Sequence, residues 1–239
     1  MAALLMARDV KQLPSLHHVA VPAQPWLGLE AALAQGVPAA RLAVVARQRQ
    51  PRDRVARLLG SALLAAAARR HALAFDPWSV QYPQGGPLYW PRGPVCSLSH
   101  SADHVVLLLG PEAPVGVDVE SPGAVSAADL RLALPVSLRE AVAAGTVDAT
   151  DAWMQAEAAL KAAGVGLSGL PDVVFASAGR ARVRDLALVL RPVSLGGGAQ
   201  CWCALGEAWA ERPIQVVGHQ VADLVRLLES AQPLRIPAP

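Results

Sequence analysis

Lysine is almost missing from this chain of 239 residues: of 21 cationic side chains, only Lys11 and Lys161 are lysine. A position that keeps an ammonium amid such arginine bias points to a task for a compact charge, which marks Lys161. Cysteine is sparse as well. Cys96, Cys201 and Cys203 give neither a disulfide framework nor zinc-type spacing, and the two that flank Trp202 read as buried strand residues. Aromatics are only 4% of the chain and are not interleaved with the basic residues, so nucleic-acid binding is not expected. No run approaches about 20 uninterrupted apolar residues, so no membrane span is expected. The opening MAALLMARDV has no basic region ahead of an apolar one, which sets aside a secretory signal and leaves the cytoplasm as the expected location. There is no Gly-x-Ser-x-Gly elbow of a hydrolase and no Gly-Lys-Ser/Thr phosphate loop.

What is present suits a globular protein with a real core. Hydrophobic residues are 53% of the chain, and the net charge is only +2. The length allows one large domain or two of roughly 120 residues each. Leu16 to Val21 reads as a strand and Leu27 to Leu33 as a short helix. A long helix is expected from Arg52 to Arg70, because Pro51 fits its first position and Val55, Leu58, Leu59, Ala62, Leu63 and Ala66 repeat at helical spacing. Its amino end carries Arg47, Arg49, Arg52, Arg54 and Arg57, which is either a solvated basic face or an anion site. Strands are expected at Val95 to Ser99, Val105 to Leu109 and Val115 to Val119, with Ser101-Ala102-Asp103 turning the first hairpin. Helices follow at Leu130 to Ala144 and Ala152 to Ala163. Strands come next at Val173 to Phe175, Arg182 to Leu190 and Gln200 to Leu205, and a last helix at Gln220 to Leu228. The layout predicts an α+β chain of two similar lobes, 1–112 and 113–239.

Two local patterns carry chemistry. In Val115-Gly116-Val117-Asp118-Val119-Glu120, residues two apart share a strand face, so Asp118 and Glu120 project together while Val117 and Val119 point into the core. Two carboxylates side by side repel unless a cation or proton lies between them, and an all-oxygen site suits Mg²⁺. Further on, Trp153, Glu157 and Lys161 are spaced four apart and line one face of a helix that Gly164 can end. Taken singly, each pattern also fits ordinary surface and core roles.

In order along the chain stand Gly85-Gly86-Pro87, Ser99-His100-Ser101, Gly116-Val117-Asp118-Val119-Glu120, and Trp153 to Lys161 followed by Gly164-Val165-Gly166-Leu167. This series resembles the phosphopantetheinyl transferase superfamily, in particular its longer, surfactin-synthetase-activating type, over roughly residues 41 to 170. The resemblance implies two pseudo-symmetric lobes, each a small antiparallel sheet packed with helices, with the active site between them. It implies a Mg²⁺-dependent transfer of phosphopantetheine from coenzyme A to a serine of an acyl or peptidyl carrier protein, with release of 3′,5′-ADP. The carrier would belong to fatty acid, polyketide or nonribosomal peptide synthesis, and the enzyme would be a monomer. Asp118, Glu120 and Glu157 would hold the metal. Asp118, Glu157 and Lys161 would be catalytic, Glu157 as the base. Lys161, Ser99, His100, Arg57 and Arg41 would contact coenzyme A. Trp153 is expected to pack beside the helix, and His17, His18, His71, His104 and His219 to be structural.

Two positions depart from the pattern. The lysine usual in the glycine-rich loop is Gly86 here, and the one before the catalytic glutamate is Ala156. Arg92, Arg54 or Arg49 would then have to restore the missing charge. The alternative is a binding module for coenzyme A or a carrier protein that has lost turnover.

Overall fold

The computed structural model describes residues 14–24, 26–73, 76–81, 88–91, 93–110, 114–130, 134–177 and 179–230. In chain order the elements are β1 (Ser15–Ala20), α1 (Trp26–Ala34), α2 (Ala39–Val45), α3 (Pro51–Arg70), β2 (Val95–His100), β3 (His104–Gly110) and β4 (Val115–Asp118). Then come α4 (Ala127–Leu130), α5 (Val136–Ala143), α6 (Ala149–Ala163), β5 (Val173–Ser177), β6 (Arg180–Val183), β7 (Leu186–Gly196), β8 (Ala199–Gly206), β9 (Gln215–His219) and α7 (Val221–Ser230). The fold is α+β.

Helix α3 is long because it meets apolar surface on more than one side. Pro51 occupies its first turn and Asp53 complements the positive end of its dipole, while Arg69 and Arg70 complement the negative end. Leu58, Leu59 and Leu63 are buried against Val19, Val105 and Leu107 of the first sheet and against Leu224 and Leu228 of α7. Each such leucine contributes about 1.5–3 kcal/mol on burial. The small residues Ala62, Ala66 and Ala67 let the neighbouring layers approach closely.

The first sheet has the order β2-β3-β1-β9 and the second β4-β8-β7-β6-β5. One face of the first sheet covers α3. Its other face, Leu16, Val106 and Leu108, packs on Val115, Val117, Cys201, Cys203 and Leu205 of the second sheet. The far face of the second sheet, with Leu188, Leu190 and Ala204, receives Ala152, Ala156 and Leu160 of α6. The layers therefore run helices, sheet, sheet, helix, and the two sheets share a core.

Several expectations change. The second sheet is antiparallel throughout, but the first is mixed, because β9 pairs with β1 in parallel. A parallel neighbour needs a long crossover, and here the chain between β1 and β9 carries the rest of the first sheet as well as the whole second sheet. Residues 215–230 thus join the first sheet and its core, where a division at 112/113 would assign them to the second lobe. The helix expected over Leu130 to Ala144 is two helices, since Pro135, extended at ψ 149°, starts α5 afresh. The strand expected over Arg182 to Leu190 folds back on itself at Arg184 and Asp185, with Arg184 at φ 53°. Helix α2 and strand β9 were not expected. The Gly85-Gly86-Pro87 loop and Arg92 lie outside the described residues.

One glycine fixes how the second sheet meets its helix. A Cβ on Gly116 would lie 2.1 Å from the carbonyl oxygen of Ala158 and 2.5 Å from the nitrogen of Ala162, so β4 rests directly on the backbone of α6. Gly116→Ala must push the two elements apart. It is expected to cost about 3 kcal/mol, read as a fall in the midpoint of denaturant unfolding; an unchanged midpoint would contradict this contact.

Candidate metal and phosphate site

The site lies where the two sheets meet along β2 and β4, whose alignment is held by side chains. Ser97 and Ser99 lie two apart on β2 and share a face. The Ser97 Oγ accepts from the backbone N–H of Val117 at 3.1 Å, and the Ser99 Oγ donates to Asp118 Oδ1 at 2.7 Å. Helix α6 closes the third side. Asp148 caps its amino end by accepting from the N–H groups of Thr150 and Asp151, and Gly164 ends it in the left-handed conformation at φ 67°.

Strand β4 and helix α6 run past one another in opposite directions. Gly116 lies against Ala158 and Ala162, and the N–H of Glu120 donates to Met154 Sδ at 3.3 Å. Asp118 falls between these two contacts and faces Glu157 and Lys161. The Lys161 Nζ donates to Asp118 Oδ1 at 2.6 Å and to Ser99 Oγ at 3.0 Å, and stands 3.7 Å from Glu157 Oε2. Oxygens of Asp118, Glu120 and Glu157 all come within 4.8 Å of one another. The four-residue spacing of Glu157 and Lys161 is therefore not an isolated surface pair, because both converge on a buried acid.

Charge is unbalanced in this cluster. Asp118 is 1% exposed, and its Oδ2 is buried without a hydrogen-bond partner while Glu157 is ionised; a protonated Glu157 carboxyl hydrogen-bonds to Asp118. Three carboxylates face one ammonium. Burial pushes the Glu157 carboxyl up to about 7; Lys161 opposes that shift, while Asp118 and Glu120 add to it. Glu120 is also raised, by burial first and then by Asp118. A divalent cation beside Asp118 Oδ2 would satisfy the orphaned oxygen and the excess negative charge together, so the donor set fits Mg²⁺.

A basic rim adjoins the carboxylates. His100 ends β2, and its pKa is lowered by burial, by Arg57 on α3 and by Lys161, with Asp53 and Asp118 opposing. It is therefore a neutral imidazole near pH 7. The Nε of Arg57 is buried without a partner. Arg41 is drawn to a different place, where its Nη2 donates to the carbonyl of Val80 at 3.0 Å. Arg54 is held by Glu30 at 2.7 Å and by the carbonyls of Gln48 and Arg49.

Next to Glu157 and Lys161 opens a cavity of about 260 Å³ with apolar walls from Leu88, Leu98, Leu160 and Leu167. Ala156 points the other way, fully buried in the core under the second sheet. Trp153 is half-buried against that same core, as expected. Cys201 and Cys203 are buried, and burial pushes the Cys96 thiol up to about 12, so it is no nucleophile.

Sequence reasoning missed Ser97 and Met154, whose roles arise only when β2, β4 and α6 come together. The signal for Ser97 was its place two residues before Ser99. No Gly-x-Gly-x2-Gly loop was expected, yet Gly164-Val165-Gly166-Leu167-Ser168-Gly169 has that glycine spacing. That run follows the end of a helix and leads into a 3₁₀ turn, so it does not join a strand to a helix as such loops do. No family model and no curated protein matches this chain. Among the described residues no helix is long and apolar enough to cross a membrane.

The raised Glu157 carboxyl has a definite sign. Its folded value of about 7 exceeds the ordinary 4.5, so the contribution of this group to the stability of the ion-free protein is full below about pH 4.5 and is lost as pH rises through about 7. The difference in thermal unfolding between wild type and Glu157→Gln should show this slope between roughly pH 5 and pH 8, since the histidine contributions are common to both. Added Mg²⁺ competes with the Glu157 proton, so its stabilising effect should grow across the same window. A Mg²⁺ effect independent of pH would count against the carboxylate cluster as the binding site.

Proposed function

We propose that this protein is a Mg²⁺-dependent phosphopantetheinyl transferase, which moves phosphopantetheine from coenzyme A to a serine of an acyl or peptidyl carrier protein. The observation that carries the proposal is the unpartnered Asp118 Oδ2 among three converging carboxylates, with Lys161 bonded into the same cluster. The order of the Ser-His-Ser, Gly-Val-Asp-x-Glu and Trp-to-Lys motifs supports it independently.

In this reading Asp118, Glu120 and Glu157 hold Mg²⁺, which when bound supplies charge neutralisation to the pyrophosphate. Lys161 offers an ammonium to the same phosphates and favours departure of the 3′,5′-ADP. Arg57, with its free buried Nε, and neutral His100 line the nucleotide side, and Ser99 holds Asp118 in place. The apolar walls of the cavity beside Glu157 suit an uncharged arm such as pantetheine better than a nucleotide. The carrier serine oxygen bonds to the phosphorus that bears the pantetheine, the bond from that phosphorus to ADP breaks, and Glu157 receives the serine proton.

The competing reading is a binding module without turnover, suggested by Gly86 and Ala156. Burial of position 156 in the core weakens it, since a side chain there faces the second sheet and not the phosphates. The engaged Arg54 is a poor substitute for a lost lysine, whereas Arg57 already stands beside His100.

The test is intact-mass analysis of unmodified carrier proteins from several synthase classes, incubated with the protein, coenzyme A and Mg²⁺, with an EDTA control. A gain of one phosphopantetheine mass that EDTA abolishes is the expected outcome. Glu157→Gln should lower the rate by about 10²–10⁴-fold, and Asp118→Asn should raise the Mg²⁺ concentration needed. No transfer to any carrier, with coenzyme A still bound, would establish the binding module instead.

A further inference from the structure

A second cluster of titratable groups lies on the helix-facing side of the first sheet and has no part in the reaction proposed above. Ser15, His17 and Val19 share one face of β1. His17 is fully buried, and both its ring nitrogens are engaged. Its Nδ1 lies 3.0 Å from His219 Nε2 on β9, and its Nε2 lies 3.3 Å from His71 Nε2 at the end of α3. The Ser15 Oγ lies 3.2 Å from that same His71 nitrogen. The rings of His17 and His219 are stacked, with centroids 5.3 Å apart and planes 18° apart.

Proton counting shows what this chain tolerates. A neutral imidazole has one donor and one acceptor nitrogen. Three neutral rings satisfy the His219–His17 and His17–His71 contacts in either direction, while Ser15 shares with His17 the single hydrogen or lone pair of His71 Nε2. An added proton puts a cation on buried His17 or on a ring beside it. The charges facing the trio make that costly: Arg70 opposes a cation on all three rings, and His18 opposes one on His17. His104, across on β3, acts on His18. Asp223 on α7 favours a cation on His219 but is itself paired with Arg226.

The partner that such repulsion would free is the segment from β9 through α7. It is held by parallel pairing to β1, by Leu224 and Leu228 in the core, and by this histidine contact. We propose that the Ser15–His71–His17–His219 chain is an acid-released latch on residues 215–230, closed while the rings are neutral and opened when the cluster takes up protons.

The sign follows from the groups themselves. Burial and the neighbouring cations lower all three histidines, His17 to about 3 from an ordinary 6.5, so the docked segment excludes protons that the released one accepts. The latch is therefore fully effective above about pH 6.5 and weakens as pH falls below it. Each excluded proton raises the opening equilibrium about tenfold per pH unit in that range. Global melting is the wrong readout, because Glu157 contributes a slope of the opposite sign.

Hydrogen exchange with mass spectrometry on the full chain reads the segment locally, with rates divided by the intrinsic exchange rate at each pH. Between about pH 7 and pH 5.5, opening of peptides within 215–230 should rise about tenfold or more, while peptides from α6 do not follow. In His71→Gln/His219→Gln, whose amides hydrogen-bond but do not titrate, the rise should shrink to the part that His17 still carries; His18→Gln should leave it as in the wild type. Equal opening of the wild-type segment at both pH values overturns the latch whatever the variants do. An undiminished rise in the folded double variant overturns it as well.

Discussion

Everything at the seam depends on one carboxyl group buried where water hardly reaches it. Asp118 is buried between two sheets and a helix, and burying an uncompensated charge costs several kcal/mol. Ser99 and Lys161 meet one of its oxygens and leave the other bare. Half of the site is thus satisfied by the protein, and the rest is left for something positive. Glu120 and Glu157 gather at the bare side, where their repulsion makes a cation more welcome still.

That convergence is built by close backbone approach more than by the acids. Gly116 lets β4 lie directly on α6, which sets Asp118 opposite Glu157 and Lys161 with little slack. On the opposite edge, Ser97 and Ser99 replace a backbone ladder between β2 and β4 with side-chain bonds. The two sheets consequently meet at a line of hydroxyls rather than merging into one, and this leaves room for His100 and the apolar cavity beside it. The shared core of Leu16, Val106, Leu108, Val117, Cys203 and Leu205 prevents the sheets from shearing past one another.

The three strands from Val95 to Asp118 were legible because their apolar runs are bounded by proline, glycine or a Ser-Ala-Asp turn. The long helix was legible because its apolar period is unbroken. Where the signal lay in backbone conformation, the reading failed: Arg184 turns a hairpin in a left-handed conformation that nothing about arginine announces. Pro135 was visible, yet the apolar period on either side ran through it. Strand β9 is a half-exposed edge, and its pattern carries little apolar contrast. Asp118, Glu157 and Lys161 could be read from spacing, since each lies on a regular element whose period sets its face. Ser97 and Met154 could not, because their partners are far away in sequence, and neither could the joining of His17, His71 and His219.

The placement of β9 beside β1 also bears on the order in which the protein takes shape during synthesis. All five strands of the second sheet, and the helix that covers it, lie within residues 115–206, so that half is complete in the nascent chain first. The earlier-made half must wait with Leu59, Leu63 and their neighbours incompletely covered until residues 215–230 emerge. Contacts of such sequence separation form slowly, and the waiting surface is the kind that chaperones hold. Of the two sheets, the one begun earlier is finished later.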